Sequence, residues 1–503
     1  MTTSASPQDP HLPTAGLATM TVSALQESMT NGGQTSAEIC AALLARIAAV
    51  DAPDSDVALR AVLAMSPRAL DDAEASDRER SGGAVRGPLH GIPVLIKDNI
   101  EAEGLPGSAG SEALRGRPVA GDAPLVTRLR AAGAIVLGST NMSEWANFRS
   151  RSSTSGWSAM GGLTGNPWAL DRSAGGSSSG SGAAVAAGLA PVAVGTETNG
   201  SITCPASLNG VVGLKATVGT IPTRGVVPLS RSQDAPGALA RSVVDAAALF
   251  EVLSGSHGLV DACRPGTSAA VRVGVANGWL TGDTATDDVF RAAVDRLAAL
   301  VGATMQVETP DATLQVQDDQ VSVLLAEFVD DLGEYLAARP GVGVRSLSDV
   351  VEFNQRHAAS ELAHFDQDLL AAARACGGRS GPEYRDARRR NVDWARDSCL
   401  EPALGDDVDV LVSPAYRPAW KSDLTHGDVL FGGGAVCTPA AILGWPILTV
   451  PIGLVDGLPV AMSVVGRPGA EPLLLSVGAA LERALGGPFT SRHPTAWGRP
   501  RRG

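Results

Sequence analysis

The sequence predicts an α/β protein, a single large domain with a mixed, mostly parallel, twisted sheet covered by helices on both faces. Three observations carry that expectation. Short apolar, β-branched runs alternate along the chain with segments of helical periodicity. Hydrophobic residues fill 44% of the 503 positions, enough for one extensive core. No interior stretch reads as a linker that would force a domain boundary, and no internal repeat is present.

Taken in order, residues 1–18 mix Ser, Pro, Asp and Thr without periodicity and read as a disordered lead-in to a domain over 19–497, with 498–503 as a C-terminal tail. Thr35-Ser-Ala-Glu38 has the spacing of a capping box, because Thr35 and Glu38 can satisfy each other's amides. Ile39, Leu43, Ile47 and Val50 then fall on one helical face. Ser66-Pro67 opens a second helix with Pro at its first position. Residues 92–96 read as a buried strand ending at Lys97, and 134–137 read likewise. A Ser- and Gly-rich stretch over 150–182 precedes a helix at 183–189 and a strand at 192–194. Further strands are expected at 408–412, 447–450 and 460–465, followed by a helix over 471–485. The segment 320–400 is helical in pattern and richly charged. Its densest cluster, Arg388-Arg-Arg390, reads as an exposed helix face.

Composition excludes several function classes. A net charge of −13 argues against nucleic acid or an anionic membrane surface as partner. Cysteines at 40, 204, 263, 376, 399 and 437 form no C-x-x-C pair, which fits reduced thiols in a cytoplasmic protein better than a disulfide framework or a zinc site. The first basic residue is Arg46, so the charged start of a secretory signal is missing. The longest apolar stretch, 437–454, is broken by Gly, Pro and Thr and does not read as a membrane span. No metal or cofactor is expected.

Three features carry chemistry. Lys97 ends an apolar strand. A buried, unpaired lysine loses hydration, its pKa falls, and its neutral form can accept a proton; read alone, Lys97 fits better a lysine that snorkels out to water or pairs with Asp98. Gly175-Gly-Ser-Ser-Ser-Gly180 fits a flexible linker when read alone, but the small apolar residues that follow point to a compact loop opening a packed helix. Within it, Gly176-Ser-Ser-Ser-Gly180 also satisfies the G-x-S-x-G elbow of α/β-hydrolases with Ser178 at its centre. That elbow needs a buried strand just before it, and 166–174 reads as loop. Finally, Gly195-Thr-Glu-Thr-Asn-Gly-Ser201 places a serine after a Gly-bearing turn. The consecutive amides of 198–201 can form an oxyanion hole there.

With His90-Gly-Ile-Pro-Val-Leu-Ile-Lys-Asp-Asn99 upstream, Gly175-Gly-Ser-Ser-Ser-Gly-Ser181 in the middle and Gly195-Thr-Glu-Thr-Asn-Gly-Ser-Ile202 downstream, the chain resembles the amidase signature family from about residue 20 to its end. Ser201 follows Ser177 by 24 positions, the family's spacing. Asn141-Met-Ser-Glu-Trp-Ala-Asn-Phe148, Ser232-Gln-Asp234, Glu352-Phe-Asn354 and Pro418-Ala-Trp-Lys421 make it most similar to the peptide amidase branch.

The resemblance implies the amidase signature fold and a Ser–cis-Ser–Lys triad without histidine or metal. Ser201 would be the nucleophile, Ser177 the bridging serine behind a cis Gly176–Ser177 peptide, and Lys97 the base. The amides of Thr198, Asn199, Gly200 and Ser201 would hold the oxyanion. The implied substrate is a small amide, with a C-terminal peptide amide as the candidate. His90 is assigned to packing. Departures from the family pattern are Thr203 where many relatives carry Arg, Asn199 where many carry Gly, Ala216 in place of the usual Pro, and Ala238 in the place of another. The acyl pocket is expected from 310–430 and from loops after 140 and 225, with Trp145, Trp157 and Trp420 as residues that either line it or join the core. Two alternatives stand beside this reading. One is the amide-hydrolysing component of a tRNA-dependent amidotransferase complex, and the other is an α/β-hydrolase-type esterase using Ser178.

Overall fold

The computed structural model describes residues 16–52, 58–116, 118–310, 317–428 and 433–487. Most of the expected lead-in and the 498–503 tail lie outside the described residues. The end of the lead-in packs instead of hanging free: Leu17–Thr19 form a short 3-10 turn, and Leu17 joins the same core as Val22 and Leu25. The Thr35 capping box forms, with Thr35 Oγ1 accepting from the Glu38 amide at 3.1 Å and the Glu38 carboxylate accepting from the Thr35 amide at 2.9 Å. Helix Ser36–Val50 then buries Ile39, Leu43, Ile47 and Val50. The next helix, Ala69–Ser81, starts two residues after Pro67. The Ser66 amide is held by the Leu137 carbonyl, which keeps that residue with the sheet.

Among the described residues, eleven strands form one sheet. In chain order they are β1 (Val62–Met65), β2 (Pro93–Lys97), β3 (Ile135–Thr140), β4 (Val192–Glu197), β5 (Val212–Lys215), β6 (Ala235–Ala240), β7 (Arg272–Ala276), β8 (Ala303–Val307), β9 (Val410–Pro414), β10 (Ile447–Val455) and β11 (Leu458–Gly466). Their order across the sheet is β1-β3-β2-β4-β6-β5-β10-β11-β9-β7-β8. The sheet is mixed, as expected, but antiparallel pairs are the majority. Parallel pairing is confined to β3-β2-β4 and to β9-β7-β8. Between these blocks β6 runs against both neighbours, and β10 folds back onto β11 across the two-residue turn Asp456-Gly457.

Helices flank this sheet. Val243–Ser254 and Glu471–Ala484 pack against it and against each other. The predicted helical segment is present as Gln317–Ala338, Leu347–Arg356, Asp368–Ala375 and Pro382–Asp393. It closes over Trp145 and Phe148 in a second apolar cluster with Phe328, Leu332 and Val350. In the Arg388–Arg390 cluster, Arg390 pairs with Asp319 at 2.5 Å at the surface. Among the described residues, no helix is long and apolar enough to cross a membrane.

Candidate active site

The site forms where parallel strands β2 and β4 end side by side. Their register pairs Ile96 with Val194, so Lys97 leaves β2 level with the last residues of β4. Lys97 is fully buried. Its Nζ lies 2.8 Å from Ser177 Oγ, 2.9 Å from Thr196 Oγ1 and 3.1 Å from the Thr196 carbonyl. Burial pushes its pKa down to about 7, against the opposing pull of the Asp234 and Glu197 carboxylates. Asn99, two residues on, returns from the same direction and donates from Nδ2 to Thr196 Oγ1 at 3.0 Å.

Ser177 sits in the loop that opens helix Ser179–Ala186, and the Gly176–Ser177 peptide is cis. Space in this loop is tight. A Cβ at Gly176 would lie 2.3 Å from Ser143 Oγ, and one at Gly180 would lie 2.2 Å from the Ala61 carbonyl. The Ser177 carbonyl accepts from the Ser143 amide at 3.1 Å, and the Ser178 amide donates to the Ser201 carbonyl at 3.1 Å. The second contact locks the two serine-bearing loops together. Ser178 itself is committed elsewhere: its buried Oγ donates to the Thr196 carbonyl at 3.0 Å and accepts from the Thr196 amide at 3.3 Å. The segment before it is part of a small two-stranded ribbon, Gly165–Asn166 with Ala169–Ser173, outside the main sheet. The strand required by a nucleophile elbow at Ser178 is therefore not in place.

Ser201 stands between β4 and helix Thr203–Asn209 and is 6% exposed. Glu197, the last residue of β4, reaches across this turn. Its Oε2 accepts from the Ile202 amide at 2.7 Å and the Thr203 amide at 2.9 Å, so it caps the helix on which Ser201 is mounted. Among the described residues, no acceptor pairs with the amides of Asn199, Gly200 or Ser201. Thr198 is held from the side: its hydroxyl donates to Asp234 Oδ1 at 2.6 Å, while Asp234 Oδ2 accepts from the Leu229 and Ser230 amides. Burial pushes Asp234 up to about 6 in spite of these three bonds. Asn199 Nδ2 donates to Thr438 Oγ1 at 3.1 Å.

Loops after 140 and 225 build the adjoining cavity, which Asn99, Ala146, Thr196, Thr198, Val226 and Asp234 help to line. Ala146 reaches it through three successive non-glycine residues in the left-handed region, with φ of 49° at Trp145, 56° at Ala146 and 72° at Asn147. Each costs roughly 1–2 kcal/mol, and the surrounding contacts must offset that strain. Trp145 and Trp157 are core residues, packed against Phe328 and Phe365 respectively. Trp420 is half-buried and donates to Asp428 at 3.0 Å. His90 packs at a distance from the site, with Nε2 3.1 Å from the Ser76 carbonyl. Among the described residues, no group of His, Cys, Asp or Glu is arranged to hold a metal ion.

The family model for amidases matches residues 38–475. The chain belongs to the amidase signature family. Its fold is similar to the peptide amidase of Stenotrophomonas maltophilia, at 40% identity over 96% of this chain and 99% of that one, with a TM-score of 0.90. A peptide amidase bound to the competitive inhibitor chymostatin matches at 41% identity over 95% of this chain and all of that one, also at 0.90. Among sequence relatives, a glutamyl-tRNA(Gln) amidotransferase component from Salinispora arenicola is 35% identical over 507 residues, covering 94% of this chain and 99% of its own. The protein is thus an amidase-family hydrolase of amide carbon–nitrogen bonds.

Sequence reasoning brought Lys97, Ser177 and Ser201 forward but missed the residues that hold them. Thr196, Glu197 and Asp234 lie inside motifs already singled out, yet no role attached to them. Period-2 alternation along β4 sends Thr196 and Glu197 to opposite faces. That was the signal available for separating a residue that faces the lysine from one that caps the helix.

Proposed function

We propose that the protein hydrolyses a small amide, with a C-terminal peptide amide as the preferred candidate, through Ser201, Ser177 and Lys97. The observation that carries this reading is the 2.8 Å contact from Lys97 Nζ to Ser177 Oγ in a fully buried setting. A neutral Lys97 takes the Ser177 proton while Ser177 takes the Ser201 proton, and Ser201 Oγ bonds to the amide carbon. The oxyanion is received by the amides of Thr198, Asn199, Gly200 and Ser201. As the carbon–nitrogen bond breaks, the proton returns through Ser177 to the leaving nitrogen, which departs as ammonia or an amine. Water then attacks the acyl carbon, losing a proton through Ser177 to Lys97, and as the carbon–Ser201 oxygen bond breaks that proton returns through Ser177 to Ser201 Oγ, releasing the carboxylic acid. The similarity to peptide amidases supports the peptide amide as substrate.

The test is turnover of a panel of primary amides, including amidated peptides, by Lys97→Ala, Ser177→Ala and Ser201→Ala, with mass spectrometry of the trapped acyl-enzyme. All three variants are expected to lose activity, by about 10³-fold or more for Ser201→Ala and Lys97→Ala. Full activity in Ser201→Ala overturns the reading. A role within an amidotransferase complex remains a second reading because of the 35% identical relative. The peptide amidase-like segments at 141–148 and 352–354 oppose it, and turnover of a simple amide by the purified chain alone would exclude it.

A further inference from the structure

Among the described residues, three oxygens and no carboxylate lie within hydrogen-bonding distance of Lys97 Nζ: Ser177 Oγ at 2.8 Å, Thr196 Oγ1 at 2.9 Å and the Thr196 carbonyl at 3.1 Å. An ammonium has three N–H bonds, so this socket is complete for the protonated amine. A neutral amine has two N–H bonds and one lone pair. The Thr196 carbonyl can only accept, and it therefore takes one N–H. If Thr196 Oγ1 takes the other, the lone pair is left facing Ser177. The hydroxyl is held for that role from behind, because Asn99 Nδ2 donates to it at 3.0 Å. Asn99 is itself almost entirely buried, and its Oδ1 has no partner among the described residues.

We propose that Thr196 is a positioning residue for the base: with Asn99 behind it, it supplies two of the three acceptors that aim the Lys97 lone pair at Ser177 and receive the ammonium when the proton arrives. This rests on the reading of Lys97 as the base. The charged and titratable groups that bear on the amine are Asp234 and Glu197 across from it, with Asp98 next in its own chain. None of these is altered by a change at Thr196.

The experiment compares Thr196→Val, which keeps the shape and removes the hydroxyl, with Thr196→Ser, which keeps the hydroxyl, on the full-length enzyme with a primary amide. Loss of an acceptor to a charged donor should lower kcat on the alkaline plateau by about 10- to 100-fold in Thr196→Val, with a much smaller change in KM. It should also destabilise the ammonium and move the acid limb of the rate profile to lower pH, by about one unit. Thr196→Ser should restore both values. A merely structural role would lower kcat without moving the acid limb. An unmoved limb, a limb moved to higher pH, or failure of Thr196→Ser to restore it would overturn the proposal. Lys97→Ala and Ser201→Ala, run in parallel, separate the two levels. If those variants stay active, the reading of the base has failed. If they are dead while Thr196→Val matches the parent, only the role of Thr196 has failed.

Discussion

At Gly200 two constraints coincide. Its φ is +85°, and a Cβ there would lie 2.7 Å from the Tyr416 hydroxyl. Alanine would face a left-handed penalty of roughly 1–2 kcal/mol as well as the collision. Because the amides of Asn199, Gly200 and Ser201 share this turn, Gly200→Ala should lower kcat/KM steeply, and Gly200→Ala with Tyr416→Phe should recover part of the loss. Equal kinetics in the single and double variants would show that the collision is irrelevant. Lys97 carries a second residue-scale consequence. With its pKa near 7 in the fold and 10.5 when unfolded, the unfolded chain binds more protons across that window. The group therefore weakens the fold below pH 7, and the penalty fades as pH rises toward 10.5. Lys97→Met should abolish activity and flatten the rise of stability over that window, by on the order of a few kcal/mol, in urea titrations at a series of pH values. The parent's rate should rise with pH through a midpoint near 7, as the amine loses its proton.

At the scale of elements, helix Thr203–Asn209 starts on the Glu197 carboxylate rather than on a local cap. Glu197→Ala should strip both amides of their acceptor and cost about 1–3 kcal/mol, with a parallel loss of kcat. Glu197→Gln keeps an acceptor oxygen and should cost less, as read from urea midpoints. Such a cap, formed by a residue well ahead of the helix, has no signature in the residues of the helix itself. The strands show the same division. Residues 92–96 and 192–194 are legible because strands buried on both faces read as continuous apolar runs, but β6 and β11, which pair antiparallel, are buried at every position too. The overestimate of parallel pairing came from this ambiguity. A sign of the true direction was present in Asp456-Gly457, a dipeptide suited to a tight hairpin, where both residues have positive φ.

Across the whole molecule, the helical segment is fastened to the loop that follows β3 by buried charge. Arg149 Nη1 reaches Glu144 at 3.0 Å and Glu361 at 3.7 Å, while its guanidinium lies over Trp157 and Phe365. Burial holds Glu144 well above the usual carboxylate range despite Arg149. Arg149→Met should remove the compensation from two buried acids and destabilise the protein by about 3–5 kcal/mol in denaturant unfolding. A second strand of contacts leads from this layer to the site: Tyr384 donates to Glu327, Ser230 donates to the same carboxylate, and the Ser230 amide donates to Asp234 beside Thr198. Neither network was legible in the sequence, since Glu144 and Glu361 look like ordinary surface residues until the chain is folded. The motifs around Lys97, Ser177 and Ser201 stand out in the sequence because they are long and ordered, and the fold brings Lys97 Nζ within 2.8 Å of Ser177 Oγ.

The dryness around Lys97 is maintained by the packing of the whole domain. Anything that lets water reach the amine raises its affinity for protons before the chain comes apart. Low urea or moderate hydrostatic pressure should therefore silence turnover at neutral pH while circular dichroism still reports a native protein, and moving the assay to alkaline pH should bring that activity back.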